Sequence, residues 1–147
     1  MKNIDRNKLL LILNWCENKF GKSKYRKSTA KLRVYKTNGF STGRRYYGLK
    51  RGLCGHQSND KIIIFLSTHR SMKELCKTIV HEYKHYLSSE KEWSMLYHKL
   101  KKQGLDDNKV IDEHPHEKEA IKFENKYGPI CYKELKKELF NKNLTNL

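Results

Sequence analysis

The sequence predicts one α+β domain over residues 1–147. Three features carry that expectation. Residues 62–66, Ile-Ile-Ile-Phe-Leu, form an unbroken apolar run, as a strand buried on both faces requires. The segment before it, 31–60, is cut into short pieces by glycine and by Asn-Gly and Asn-Asp pairs, the punctuation of strands and turns. Beyond Ser71 the apolar residues recur three and four apart, the period of amphipathic helices.

In chain order, Asp5 can cap a first helix whose apolar side is Leu9, Leu10, Leu13, Trp15, Cys16 and Phe20, with Gly21 as its stop. A basic linker, KSKYRKSTAK, follows. KLRVYK, RRYYGL, GLCGH and KIIIFL read as short strands, with TNGF as a turn and KRG and QSND as dividers. Short connections imply a small, mostly antiparallel sheet of three or four strands. Ser71 and Glu74 make a capping box ahead of a helix over 71–88, whose apolar face is Met72, Leu75, Cys76, Ile79, Val80, Tyr83 and Leu87. Ser89 and Glu92 cap the next helix, which carries Trp93, Leu96, Tyr97 and Leu100 to Gly104. LDDN reads as a loop. Pro115 opens a helix to about Tyr127, Gly128-Pro129 stops it, and a last helix carries Leu135, Leu139 and Phe140.

Composition narrows the class of partner. The chain has 32 Lys and Arg against 16 Asp and Glu, a net charge of +16, which favours anionic partners and nucleic acid among them. Most of these cations are lysines, and a bias toward residues with A/T-rich codons fits a phage- or virus-encoded gene. The four cysteines, Cys16, Cys54, Cys76 and Cys131, have no C-x-x-C spacing and read as reduced thiols. The apolar run at Leu9–Leu13 is too short for an export signal, and no stretch is apolar enough to span a membrane. A cytoplasmic protein is expected.

The chemistry concentrates in TIVHEYKHYL, residues 78–87. His81 and His85 are four apart on one predicted helix, so both imidazoles can reach a common point. Glu82 is offset by about 100° around the helix, off that point but within reach of a water there. H-E-x-x-H thus supplies two metal ligands and a general base from one element. A third ligand is needed for tight binding of zinc. The stretch EHPHEKEAIKF, residues 113–123, holds Glu113, His114, His116, Glu117 and Glu119. Glu117 shares a helix face with Ala120, Ile121 and Glu124. Glu113 and Glu119 fall off that face, and His114 reads as an N-cap or surface residue.

TIVHEYKHYL resembles the active-site helix of zincin metallopeptidases. Within that group, the order of strand, H-E-x-x-H helix and later ligand over residues 30–127 is similar to small gluzincin-like, SprT-like and ImmA/IrrE-like domains. Lys84 departs from the uncharged pair usual between the glutamate and the second histidine. The metzincin continuation is absent. The resemblance implies a minimal zincin-like domain with Zn2+ as cofactor. Glu117, in an E-x-x-A-x-x-F pattern with Ala120 and Phe123, matches the third ligand of several such families. His116 is the alternative, since SprT-like enzymes use a third histidine, although theirs is followed by glycine.

These roles predict a zinc metallopeptidase. Glu82 would take a proton from a zinc-activated water that attacks a peptide carbonyl. Tyr127, His114 or Tyr132 would supply an oxyanion donor, and Glu124 would orient a histidine. A peptide or protein substrate would add to an edge strand in the 40s or 50s. Two other readings stand beside this one: a nucleic-acid-associated protein of zincin fold, and a silent zinc scaffold. GRRYYGLKRG and KSKYRKSTAK interleave cations with aromatics in a way that suits single-stranded nucleic acid. His56 beside Cys54 reads as a loop histidine, and His69 and His98 as solvated.

Overall fold

The computed structural model describes residues 5–36, 55–58 and 60–141. The expected TNGF turn, the RRYYGL strand, Cys54 and the GRRYYGLKRG stretch lie outside the described residues.

Helix α1 spans Arg6–Phe20. The Asn7 amide donates to the Asp5 carboxylate at 3.0 Å, and the chain leaves through Gly21 at φ 80°. A side chain at that φ would be strained, which is why glycine stops the helix. Leu9, Ile12, Leu13 and Cys16 are buried.

Strand β1 is Lys31–Tyr35, β2 is Gly55–Ser58 and β3 is Lys61–Phe65, in the sheet order β1-β3-β2. The described chain is therefore α+β and mostly helical. The expectation of a mostly antiparallel sheet is corrected: β1 pairs with β3 in parallel over five residue pairs, from Lys31 with Lys61 to Tyr35 with Phe65. β2 pairs with β3 antiparallel, from Gly55 with Ile64 to Ser58 with Lys61. Antiparallel pairing follows only where the connection is short, between Ser58 and Lys61. The chain between β1 and β3 is long enough to return to its starting side, and parallel pairing requires such a crossover. β2 takes in part of QSND, which had read as a divider. β3 is central and its Ile62, Ile63, Ile64 and Phe65 are all buried, as a strand covered on both faces must be.

Helix α2 is Met72–Leu87. Ser71 accepts the Glu74 amide at 3.2 Å, and Glu74 accepts the Arg70 amide at 2.6 Å. Its buried face is Met72, Leu75, Cys76, Ile79, Val80, Tyr83 and Tyr86. Tyr86 takes the place expected for Leu87 because its hydroxyl finds partners: it accepts the Ser23 amide at 3.2 Å and donates to the Ser28 carbonyl at 2.9 Å. The basic linker is thereby part of the structure. Its Arg26 is 8% exposed and donates to the carbonyls of Tyr86, His85 and Ser88 and to the Glu90 carboxylate. One guanidinium thus reaches two of the carbonyls in the last turn of α2 and the carbonyl of its C-cap, Ser88.

Helix α3 is Glu90–Lys101, capped by Ser89. The expected LDDN loop is instead the start of α4, Asp107–Glu113, with Asp106 as N-cap and Val110 buried. The expected break at Gly128-Pro129 is also corrected, since α5 runs unbroken over Pro115–Leu139. A Cβ on Gly128 would stand 2.6 Å from Lys77 Cγ and 3.2 Å from Lys77 Cα, so glycine lets α5 lie against α2 there. Packing against α2 and α1 keeps the helix continuous despite the backbone hydrogen bond that Pro129 cannot make. Cys16, Cys76 and Cys131 are buried and unbridged. Among the described residues no helix is long and apolar enough to cross a membrane.

Candidate metal centre

Helix α2 lies on the sheet with one face and on α5 with another, and the candidate site sits between α2 and α5. His69, expected at the surface, is one of its anchors. It is 3% exposed, hydrogen-bonded through Nδ1 to the Phe65 carbonyl (2.8 Å) and through Nε2 to Thr78 Oγ1 (2.8 Å). That pair ties the end of β3 to the helix turn before His81. Arg26 holds the other end of α2, one turn after His81.

His81 and His85 present their rings from consecutive turns, with centroids 5.0 Å apart. Glu117, in the first turn of α5, reaches both. One carboxylate oxygen is 2.7 Å from His81 Nε2 and the other 2.9 Å from His85 Nε2. One donor atom from each residue lies within 4.8 Å of the others. Tetrahedral zinc with bonds of ~2.0–2.1 Å holds its donors roughly 3.4 Å apart, so small side-chain adjustments would close the set on an ion. Two imidazoles and a carboxylate are also a donor chemistry that zinc accepts. The group could hold a metal.

Ala120 is fully buried one turn beyond Glu117, so nothing bulky holds α5 away from α2 there. Phe123 packs with Phe20 and Tyr127, at centroid distances of 4.6 and 4.8 Å. Glu124, two turns beyond Glu117, accepts from His81 Nδ1 at 3.0 Å. With a metal on Nε2, this hydrogen bond would keep the remaining ring proton on Nδ1. Compared with protein-family models, with curated proteins and with solved structures, the chain matches none.

His116 is not brought to the cluster. Its Nε2 faces Glu92 at 2.9 Å, because it projects from α5 about 100° away from Glu117. His114 caps α5 through Nδ1, which accepts the His116 amide, while Nε2 meets the Trp93 carbonyl at 2.9 Å and the ring stacks on Trp93. Both ring nitrogens are committed, so His114 is no oxyanion donor. Tyr127 and Tyr132 stand ten and fifteen residues beyond Glu117 on one helix, roughly 15 and 22 Å along its axis. Tyr127 is one turn beyond Glu124 and its ring packs on Phe20 and Phe123, and Tyr132 stands five residues further on. Lys84, the departure from the family pattern, turns away and lies 5.7 Å from the Phe123 ring centroid. His56 falls on β2, and His98 is exposed.

Electrostatics tie the cluster together. In the metal-free chain, burial works to lower the His81 pKa. Hydrogen bonds to Glu117 and Glu124 outweigh it and raise the imidazole to about 11. Burial works to raise Glu117, but the hydrogen bonds from His81 and His85 hold it well below the usual carboxylate range. Glu82 is 7% exposed, and its carboxylate is 4.0 Å from His81 Nε2. Burial pushes its pKa above the ordinary value, against the pull of His81 and His85.

Proposed function

We propose that this chain is a zinc-dependent metallopeptidase of minimal zincin type, with His81, His85 and Glu117 as ligands and Glu82 as general base. The observation that carries the reading is the convergence of two imidazoles from α2 and one carboxylate from α5, with a second carboxylate beside them. A divalent metal held there supplies a Lewis acid for a peptide carbonyl and lowers the pKa of water at the site. Glu82 accepts the proton lost by the attacking water and returns it to the leaving amine. Its burial suits that task, since a desolvated carboxylate is a stronger base than an exposed one. Glu124 keeps His81 in one tautomer. Among the described residues β2 is a sheet edge packed near α2. An extended peptide could add to it and be positioned by main-chain hydrogen bonds. The three buried free cysteines support a reducing compartment.

A silent structural zinc site needs four protein donors. Among the described residues the cluster provides three, which favours the hydrolytic reading.

The test is metal content and peptide hydrolysis on the same preparations. Wild type is expected to bind one zinc and cleave an unfolded protein substrate. His85→Ala and Glu117→Ala should lose stoichiometric zinc. Glu82→Gln should keep zinc and lose cleavage by at least about a hundredfold. Equal cleavage by wild type and Glu82→Gln rejects Glu82 as the base. Full zinc retention by Glu117→Ala rejects the ligand set.

A further inference from the structure

Helix α5 carries on its outer side a feature that the metal cluster does not use. Lys118, Lys122, Lys126, Lys133, Lys136 and Lys137 are all exposed. At 100° per residue they fall within roughly a 100° arc, and from the first to the last they run about 28 Å along the axis. Glu119, at the edge of that arc, is the only acid within it. The helix's buried side, with Ala120, Gly128, Cys131 and Leu139, faces the opposite way. Glu117 and Glu124 point to that buried side, so the lysine face and the metal cluster lie on opposite sides of one helix.

Among the described residues most of this charge is uncompensated. Lys118 and Lys122, Lys122 and Lys126, and Lys133 and Lys137 are i,i+4 neighbours, and like charges at that spacing repel. Among the described residues only Lys118 of the six is in an ion pair, with Glu113 at 3.3 Å. Lys126 and Lys136 rest over the Tyr127 and Tyr132 rings, at 5.0 and 6.0 Å, which positions their charges without neutralising them. The chain's net charge of +16 adds to the field rather than offsetting it.

We propose that the lysine face of α5 is a docking surface for double-stranded nucleic acid. The shape argues for a duplex over a bilayer. A helix that lies on a membrane buries its apolar face in it, and the apolar face of α5 is already buried against α2 and α1. A convex ridge also meets a flat bilayer along one line only. A major groove about 12 Å wide admits a helix of 10–12 Å diameter and places phosphates on both flanks of the ridge. Lysines alone give phosphate contacts and no base pattern, so the binding is independent of sequence. Because the metal cluster faces away, a docked duplex leaves it open. The proposal stands whether or not the cluster hydrolyses peptides.

The experiment titrates full-length protein into a fluorescein-labelled 24-base-pair duplex of mixed sequence, by anisotropy, between 50 and 300 mM salt. Two triple variants carry the same charge change: Lys122→Glu/Lys126→Glu/Lys133→Glu on the ridge, and Lys73→Glu/Lys99→Glu/Lys102→Glu at other exposed positions. Far-ultraviolet circular dichroism checks folding, and the matching Lys→Gln triples replace either variant that fails to fold. The ridge triple should weaken duplex binding at least tenfold near 100 mM salt and flatten the log–log salt slope by about 2–3. The other triple should weaken it less than about threefold. Equal weakening by both triples would show a diffuse effect of net charge and overturn the assignment. So would ridge-dependent sedimentation with vesicles containing 30% phosphatidylserine but no duplex binding. Zinc content measured on the ridge triple should match wild type, which separates this outcome from any failure of the metal site.

Discussion

Glu117 meets both imidazoles because its two carboxylate oxygens face different rings, 2.7 Å from His81 and 2.9 Å from His85. In the metal-free chain this makes a strongly pH-linked pair. His81 has a folded pKa raised to about 11, so its contribution is complete below the unfolded value near 6.5 and is lost as pH rises through 11. Glu117 is depressed, so its contribution is complete above about 4.5 and is lost as pH falls. The window in which both act is therefore about pH 4.5–6.5. The metal-free protein should show a maximum of Tm there that flattens in Glu117→Gln, as calorimetry across a pH series would show. Zinc must displace the proton from His81, so its affinity should climb with pH across the neutral range, by up to about tenfold per unit. Glu124→Ala removes the acceptor that orients His81. It should weaken zinc binding by about 10–100-fold in competition with a chromophoric chelator, without changing stoichiometry at saturating metal.

At the scale of elements, the site depends on how α2 is held at its ends and how closely α5 approaches it. Arg26 donates to three carbonyls at the end of α2 and to Glu90. Arg26→Ala strands buried carbonyls and should cost about 3 kcal/mol in urea unfolding. Arg26→Lys should recover only part of this, because one ammonium cannot span the same set. Gly128→Ala places a methyl against Lys77, whose Cα is only 3.2 Å from the new atom. The overpacking outweighs the ~1 kcal/mol that alanine gains in helix propensity, for a net loss of about 1–2 kcal/mol. Gly128 had read as half of a helix stop. Its role is contact, and contact is invisible in one strand of sequence. The same holds for Asp106, whose capping of α4 is obvious only once Val110 has a core to enter.

For the molecule as a whole, a metal bound only by the folded chain adds to its stability by mass action. Free zinc at a hundred times Kd is worth about 2.7 kcal/mol, or a rise in Tm of roughly 5–10 °C for a chain of this size. A chelator should reverse the shift in wild type and leave the Tm of His85→Ala unchanged. Three cysteines, buried and unbridged at the meeting of α1, α2 and α5, belong to the same core. Modifying them requires global opening, so their labelling rate should fall when zinc is added.

What the sequence by itself determined is local. Capping boxes, apolar spacing and the H-E-x-x-H register are properties of a few consecutive residues, so α1, α2 and the pairing of His81 with His85 were legible from them. The four apolar residues of β3 likewise declared a covered strand. What only the tertiary structure decided is which distant groups meet. His116 and Glu117 are adjacent in the chain but about 100° apart on α5, and the docking of α5 on α2 sends one to the imidazoles and the other to Glu92. The direction of β1, the continuity of α5 through Pro129 and the burial of Arg26 and His69 were settled the same way. Each depends on contacts between segments far apart in sequence, and local composition carries no record of which partner will be there.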